Sequence, residues 1–265
     1  MVNLWYSQYI QTSSQLLDND IHKSIRTIDC VQQGLLAYFK VKKLYVFSTH
    51  TLPEKGVKMN FGFLLFEDLE ELDLVGPWEI ISIWSKHFGG PKNCLMIAEK
   101  DQPVKCYNGM IVTPHISFSN APKLDYLLIP GGIGTRKEVK NNSLIDFVAN
   151  QAETCKVILS VCTGSFILHS ADLLKSKKAT THYSRLDDLR SLADVEVVEK
   201  RFIKDGRIWT SAGVSAGIDM AMELIAQEAG EETAGMTQLY AEYYPTGRLH
   251  GTAHKEPQAP GYIKK

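Results

Sequence analysis

Residues 157–168 read VILSVCTGSFIL, and this stretch decides the fold. Its first half is dominated by Val, Ile and Leu, which favour a buried strand. Cys162 follows that run, and Thr163 and Gly164 then open a helical pattern. A buried strand that leads directly into a helix is the repeating unit of a parallel sheet covered by helices.

The same alternation of strand and helix extends on both sides of this stretch. Asn108-Gly109 and Asp205-Gly206 are typical hairpin turns, the second between two alternating strands. The whole pattern predicts an α/β fold, a doubly wound sandwich with a mainly parallel sheet. Further strands are predicted at 60–66, 94–99, 125–130 and 156–161, and helices at 77–88, 143–153, 165–174, 216–230 and 231–244.

The chain divides into three parts by sequence texture. Residues 1–58 lack a clean period, residues 59–244 carry the alternation, and residues 245–265 are rich in Gly, Pro and charge and are expected to be irregular. The codons for Lys-Gly-Val-Lys before Met59 can spell a purine-rich ribosome-binding sequence. The native protein is therefore hypothesised to start at Met59, the alternative being a genuine N-terminal arm.

Composition excludes several classes of protein. The chain has 265 residues, of which 44 % are hydrophobic, and a net charge of −1, which gives no electrostatic case for a nucleic-acid or membrane partner. No apolar run approaches the roughly 20 residues that span a bilayer. The five cysteines are scattered without a C-x-x-C pair, so neither a disulfide framework nor a metal site is indicated. A soluble cytoplasmic protein without cofactor is expected.

Cys162 is the candidate nucleophile. The order Ser160, Val161, Cys162, Thr163, Gly164 has the logic of the G-x-S-x-G elbow, which exposes a nucleophile above the sheet edge. The following helix N-terminus is expected to favour thiolate over thiol. The alternative is an inert buried cysteine, the ordinary state of a free thiol.

Asp73 is the candidate acid. It stands between two leucines after the first predicted strand and ahead of Gly76-Pro77, where Pro suits a first helical turn. Burial there would raise the carboxyl pKa and suit the group to proton transfer near neutral pH. The alternative is a loop carboxylate satisfied by backbone N–H groups.

Glycines at a third strand end are candidates for an anion-stabilising site. Gly131 and Gly132 allow a sharp turn that leaves an N–H free in the crevice, where it could act together with the N–H of Thr163. A dinucleotide site is rejected because Lys137 stands where G-x-G-x-x-G requires its third glycine. His182 follows a short predicted strand and is expected behind the residues that contact substrate.

Five stretches carry a family resemblance: FGFLLFEDLEELDLVGPWEI, LDYLLIPGG, VCTGSFIL, KATTHY and TSAGVSAGIDMAMEL. Together they resemble the ThiJ/PfpI superfamily, relatives of the class I glutamine amidotransferase domain, and within it the isonitrile hydratases. The resemblance runs from about residue 59 to 244 and implies a flavodoxin-like sandwich, a cysteine on an elbow and a homodimer acting on a small molecule. It puts the family nucleophile on Cys162, the acid on Asp73 and the hydratase-type residue after the cysteine on Thr163.

At several positions this sequence differs from other branches of the superfamily, and these differences argue against the functions of those branches. The residue beside Cys162 is not the histidine of the protease relatives, and glyoxalase and deglycase relatives typically carry Glu rather than Asp near the first strand. AraC-type regulators share this domain but continue into a helix-turn-helix module, for which 21 residues after Tyr244 leave no room. Isonitrile hydration through a Cys162 thioimidate is the favoured interpretation. Aldehyde chemistry at the same cysteine and a non-enzymatic redox or ligand sensor are the alternatives.

Overall fold

The structure is a computed structural model that describes residues 59–245, 247 and 249–263. The predicted N-terminal extension, 1–58, lies outside these residues apart from its boundary at Met59. A seven-stranded sheet consists of β1 (Asn60–Leu64), β2 (Asn93–Ala98), β5 (Ile116–Ser117), β6 (Tyr126–Ile129), β7 (Val157–Val161), β10 (Phe202–Asp205) and β11 (Ile208–Ser211). The strands lie in the order β10-β11-β7-β6-β1-β2-β5, and every neighbouring pair is parallel except β10 with β11.

Both predicted hairpins are present. Gly109, at a φ of 102°, turns the chain between β3 (Val104–Lys105) and β4 (Ile111–Val112), and Gly206 turns it between β10 and β11. The short strand predicted before His182 is β8 (Lys177–Ala179). The sequence did not predict that it pairs in parallel with β9 (Val195–Val197).

Two groups of helices cover the sheet. The long helix α1 packs against α6 and α7, whereas α4 packs against α2 and α3. Every position of β6 and β7 is buried, as expected for strands covered on both faces. The helices are α1 (Glu71–His87), α2 (Thr135–Glu138), α3 (Asn142–Ala152), α4 (Gly164–Ser170), α5 (Leu186–Arg190), α6 (Ala216–Ala229) and α7 (Glu231–Tyr240).

The start of α1 corrects a prediction. The helix begins at Glu71 rather than at Pro77, which lies inside it. Glu71 and Asp73 occupy the first turn, where acidic side chains interact favourably with the helix dipole. Proline can enter a helix interior when the one hydrogen bond that its missing N–H forfeits is outweighed by packing, and Pro77 is buried. Asp73 therefore lies on a helix instead of a loop.

The strand order places a crevice at one edge of the sheet. The chain moves from β1 to β2 on one side and returns to β6 on the other, which is the switch point where open α/β sheets bind ligands. Ile129 pairs with Ser160, and Val161 pairs with Ser211, so β6, β7 and β11 end side by side. Within the described residues, no helix is long and apolar enough to cross a membrane.

Candidate active site

Cys162 sits on a strained turn at the end of β7. Its φ is +55°, a left-handed conformation that non-glycine residues rarely adopt and that is concentrated at functional sites. Its N–H is shared between the carbonyls of Ser211 (3.2 Å) and Ala212 (3.1 Å), which ties the turn to the end of β11. The strand-to-helix elbow expected for this residue is therefore present, but Cys162 is buried, with 7 % of its surface exposed, because neighbouring residues cover the end of β7.

Two hydroxyl groups donate hydrogen bonds to the carbonyl oxygen of Cys162. Thr181 Oγ1 donates to it over 2.8 Å and Ser165 Oγ over 3.2 Å, and both hydroxyls are buried. Buried carbonyls need such partners, so these bonds help to maintain the turn. This contact explains what the Thr-Thr-His stretch after β8 contributes to the site.

Asp73 is fully buried beside the cysteine. Its Oδ2 accepts the Gly131 N–H over 2.8 Å, whereas its buried Oδ1 has no hydrogen-bond partner among the described residues. Burial raises the pKa of Asp73 well above its usual value, and the charge of Glu70 raises it further. The Gly131 N–H, the nearby Cys162 thiol and the nearby Val214 N–H act in the opposite direction. A carboxyl that exchanges protons with the neighbouring thiol fits this arrangement.

The thiolate predicted for Cys162 is not favoured in the resting site. Burial raises the pKa of the thiol, and the charge of Asp73 raises it further. The donors around the sulfur, from Thr163 and the Val214 N–H, oppose these effects but do not outweigh them. A second negative charge is disfavoured, so Cys162 and Asp73 together keep at least one proton at neutral pH.

The expected free N–H at Gly132 is already used. Gly132 donates to Thr163 Oγ1 over 3.0 Å, and Gly131 donates to Asp73. The N–H groups of Thr163 and Val214 approach the sulfur instead. The N–H groups placed to stabilise negative charge at the sulfur are therefore those of Thr163, which stays a prediction, and of Val214, which the sequence did not indicate.

Val214 has an unusual backbone. Its φ of +47° is an outlier for a β-branched residue, and its N–H approaches both Cys162 and Asp73. The sequence signal was weak, because only the preceding Gly213 hints at a tight turn. Two residues with left-handed backbones, Cys162 and Val214, thus lie next to one another in the site.

A second residue missed from sequence is Thr135 at the start of α2. Its hydroxyl is buried, 2.8 Å from the carbonyl oxygen of Gly132 and 3.1 Å from Thr163 Oγ1. Thr163 Oγ1 also lies 3.1 Å from that carbonyl oxygen. These contacts fix the Thr163 hydroxyl beside the cysteine.

His182 lies at the cavity but is bound to its own turn. Its Nδ1 is 2.9 Å from Ser184 Oγ and accepts the Ser184 N–H, and the ring packs against Gly213. Burial, and secondarily the charge of Arg185, lowers the pKa of His182, which favours the neutral ring. His169 does not line the cavity; its Nε2 is 3.0 Å from Asp194 Oδ1.

Cys162 forms part of the floor of a cavity of about 650 Å³. Glu70, a further residue missed from sequence, lines it, and burial followed by the charge of Glu71 raises the Glu70 pKa. The described residues contain no cluster suited to hold a metal ion. The other lining residues are Tyr107, Gly132, Ile133, Thr135, Arg136, Val139, Thr163, Phe166, His182, Ser184, Arg185, Asp188 and Val214.

Comparisons of the sequence identify relatives that include an enzyme and a transcriptional regulator. An isonitrile hydratase of Pseudomonas putida is 36 % identical over 188 residues, which cover 71 % of this chain and 79 % of that protein. The HTH-type transcriptional regulator GbdR of Pseudomonas aeruginosa is 26 % identical over 191 residues, 71 % of this chain. The chain spans about half, 52 %, of that regulator's length.

Comparisons of the fold agree with the strand order. A ThiJ/PfpI family protein from Pseudomonas syringae superposes with a TM-score of 0.69 at 29 % identity, covering 82 % of this chain and 91 % of that one. Drosophila melanogaster DJ-1beta superposes with a TM-score of 0.63 at 18 % identity, covering 71 % of this chain and 100 % of that one, a likeness of fold. The DJ-1/PfpI family model matches residues 60–227. With its α/β sheet and its cysteine elbow, the chain belongs to the DJ-1/PfpI family.

Proposed function

We propose that this protein adds water to an isonitrile to give an N-substituted formamide, with Cys162 as the nucleophile and Asp73 as the acid and base. The observation that carries this proposal is the buried Asp73 carboxyl, which approaches the Cys162 thiol at the end of the crevice. The 36 % identity to an isonitrile hydratase supports the choice of substrate. Thr163, directly after the nucleophile, supports it further.

The first step joins the thiol to the terminal carbon of the isonitrile. Asp73 takes the thiol proton as the sulfur attacks, and returns that proton to the same carbon, so that a thioimidate forms. This route requires no thiolate at rest, which matches the raised pKa of Cys162. The N–H groups of Thr163 and Val214 stabilise the negative charge while it develops.

The second step hydrolyses the thioimidate. Asp73 removes a proton from water as the water oxygen attacks the thioimidate carbon, and it passes that proton to the substrate nitrogen. The tetrahedral adduct then collapses: the C–S bond breaks, the hydroxyl proton passes through Asp73 to the sulfur, and the formamide leaves. The balance is one isonitrile plus one water to one formamide, with Cys162 and Asp73 regenerated.

The direct test is formamide production from a neutral alkyl isonitrile. We expect turnover by the wild type, none by Cys162→Ala, and a loss of about 10²–10⁴-fold in Asp73→Asn, the usual range for removing a general acid–base group. Cys94→Ala is the matched control, because this free cysteine lies outside the cavity. Near-normal turnover by Asp73→Asn would remove Asp73 from the mechanism.

The same assay separates the two alternative functions. Methylglyoxal offered in place of the isonitrile reports aldehyde chemistry at the same cysteine. Turnover of methylglyoxal without turnover of isonitrile would replace the proposal with that chemistry. No turnover of either substrate, with Cys162 still open to oxidation, would favour a sensor.

A further inference from the structure

The cavity above Cys162 combines an apolar wall with an arginine. Ile133 and Val139, on either side of α2, line it together with Phe166 from α4. Arg136, in the first turn of α2, lines the same cavity. A small organic group bound above the sulfur would therefore contact hydrocarbon side chains and a guanidinium group at once.

Arg136 has no ion-pair or hydrogen-bond partner for its side chain among the described residues. The two neighbouring cations, by contrast, each have an acidic partner. Arg185, on another wall of the cavity, binds Asp188 over 3.0 Å, and Lys137 Nζ lies 3.9 Å from Glu138 Oε1. The positive charge of Arg136 is thus left available to a ligand.

Glu70 is the remaining acidic group of the cavity wall, and it is a poor partner for Arg136. Its Oε1 accepts a long hydrogen bond of 3.3 Å from Asn108 Nδ2. Burial and the charge of Glu71 raise the pKa of Glu70, and no ion pair joins Glu70 to Arg136 among the described residues. Arg185 and Asp188 are already joined in an ion pair, so Arg136 is the arginine of this cavity whose guanidinium has no carboxylate partner among the described residues.

Arg136 is exposed, and an apolar ligand that covered its guanidinium would strip water from it without replacing that water. Removing water from a charged group is costly unless a counter-ion takes its place. A carboxylate on the ligand meets that need and forms charge-assisted, bidentate hydrogen bonds with guanidinium. We infer that Arg136 is the specificity-determining residue of the site and that it binds a carboxylate at the far end of an isonitrile substrate with an apolar middle. The choice of an isonitrile rests on the proposed function; the anion subsite does not.

Alkylation of Cys162 tests the subsite without any turnover. Iodoacetate and iodoacetamide alkylate thiols by the same displacement but differ in charge. The ratio of their rates at Cys162, read by mass spectrometry of the peptide that contains it, reports anion recognition near the sulfur. We expect this ratio to fall about three- to tenfold in Arg136→Gln, the range of a partly screened charge-assisted bond, and to be largely retained in Arg136→Lys.

Lys137→Gln is the matched control for net charge. It removes the same charge from the next residue, whose side chain is 78 % exposed and does not line the cavity. We expect an unchanged ratio in this variant. An equal fall in Lys137→Gln and Arg136→Gln, or no fall in Arg136→Gln, would overturn the subsite.

Turnover then tests the substrate class. We compare kcat/KM for an ω-isocyanoalkanoate and for its methyl ester, and expect the acid to be preferred by the wild type and the preference to disappear in Arg136→Gln. Equal kcat/KM for acid and ester in the wild type would overturn the inference while leaving the hydratase proposal intact. An alkylation ratio that depends on Arg136, with no isonitrile turned over, would keep the anion subsite and reject isonitrile chemistry.

Discussion

The N–H of Gly131 donates to Oδ2 of Asp73 over 2.8 Å, a bond between residues 58 positions apart in the chain. It joins the turn after β6 to the first turn of α1 and fixes the carboxyl beside Cys162. Because both partners are buried, the bond is protected from competition by water. The site is thus built by a contact between the end of β6 and the start of α1.

Asp73→Asn is expected to make the protein more stable at neutral pH while it loses activity. The folded-state pKa of Asp73 lies above its unfolded value, so the ionised group destabilises the fold as pH rises through that interval, and this cost is absent at low pH. Asparagine keeps an acceptor for Gly131 without the charge. The expected gain is about 1–3 kcal/mol at pH 8 and shrinks toward pH 4.

The measurement is thermal unfolding of both proteins across that pH range. Asp146→Asn, an exposed carboxylate on α3, is the control and should give a difference in Tm that does not vary with pH. A difference for Asp73→Asn that is constant or widens as pH falls would contradict the raised pKa.

The pH profile of Cys162 alkylation by iodoacetamide should have its midpoint above that of an ordinary cysteine, because burial and Asp73 both disfavour the thiolate. Asp73→Asn should move the midpoint down, since one of the two causes is removed. The readout is the midpoint rather than the rate, because Asp73 also takes the thiol proton in the proposed mechanism. A wild-type midpoint below pH 7 would restore the resting thiolate.

Gly131→Ala should destabilise the protein by about 1–3 kcal/mol, the usual range for overpacking, and abolish activity. An added Cβ would lie 2.5 Å from the Thr163 nitrogen and 2.8 Å from Cys162 Cβ, and the backbone of the elbow cannot yield without moving the sulfur. The measurements are denaturant unfolding and formamide production. Gly235→Ala is the matched control: it lies within α7 with nothing near its Cβ position, and should stabilise by about 0.5–1 kcal/mol. Normal turnover by Gly131→Ala would contradict this account of the turn.

Thr181→Val should cost about 1–2 kcal/mol and lower kcat, because it removes a buried donor from the Cys162 carbonyl and leaves Ser165 as the remaining one. Thr181→Ser keeps the hydroxyl and should restore kcat. Both are measured by denaturant unfolding and steady-state kinetics. If the serine variant is as slow as the valine variant, packing of the methyl group, not the hydrogen bond, supports the elbow.

Several elements of the fold could be predicted from the sequence because their signals are local. Continuous apolar runs identified buried strands such as β6 and β7, and Asn108-Gly109 and Asp205-Gly206 identified the hairpins. The start of α1 was misplaced because Pro77 is a strong helix-start signal by itself, and only its packing against the core shows that the helix already exists there.

Local signals were enough to place Cys162 on an elbow at the end of a buried strand and Asp73 after the first strand, because apolar runs and turn residues act within a few positions. Contacts between distant parts of the chain set the chemistry of that pair. The pKa of Cys162 depends on burial and on the charge of Asp73, and the N–H of Gly132 was lost to Thr163, 31 positions away. Val214, which follows β11 in the chain, lies beside Cys162 only in the folded protein, and Arg136 lines the same cavity. Desolvation and competition for hydrogen bonds are sums over neighbours in space, which the order of residues along the chain does not specify.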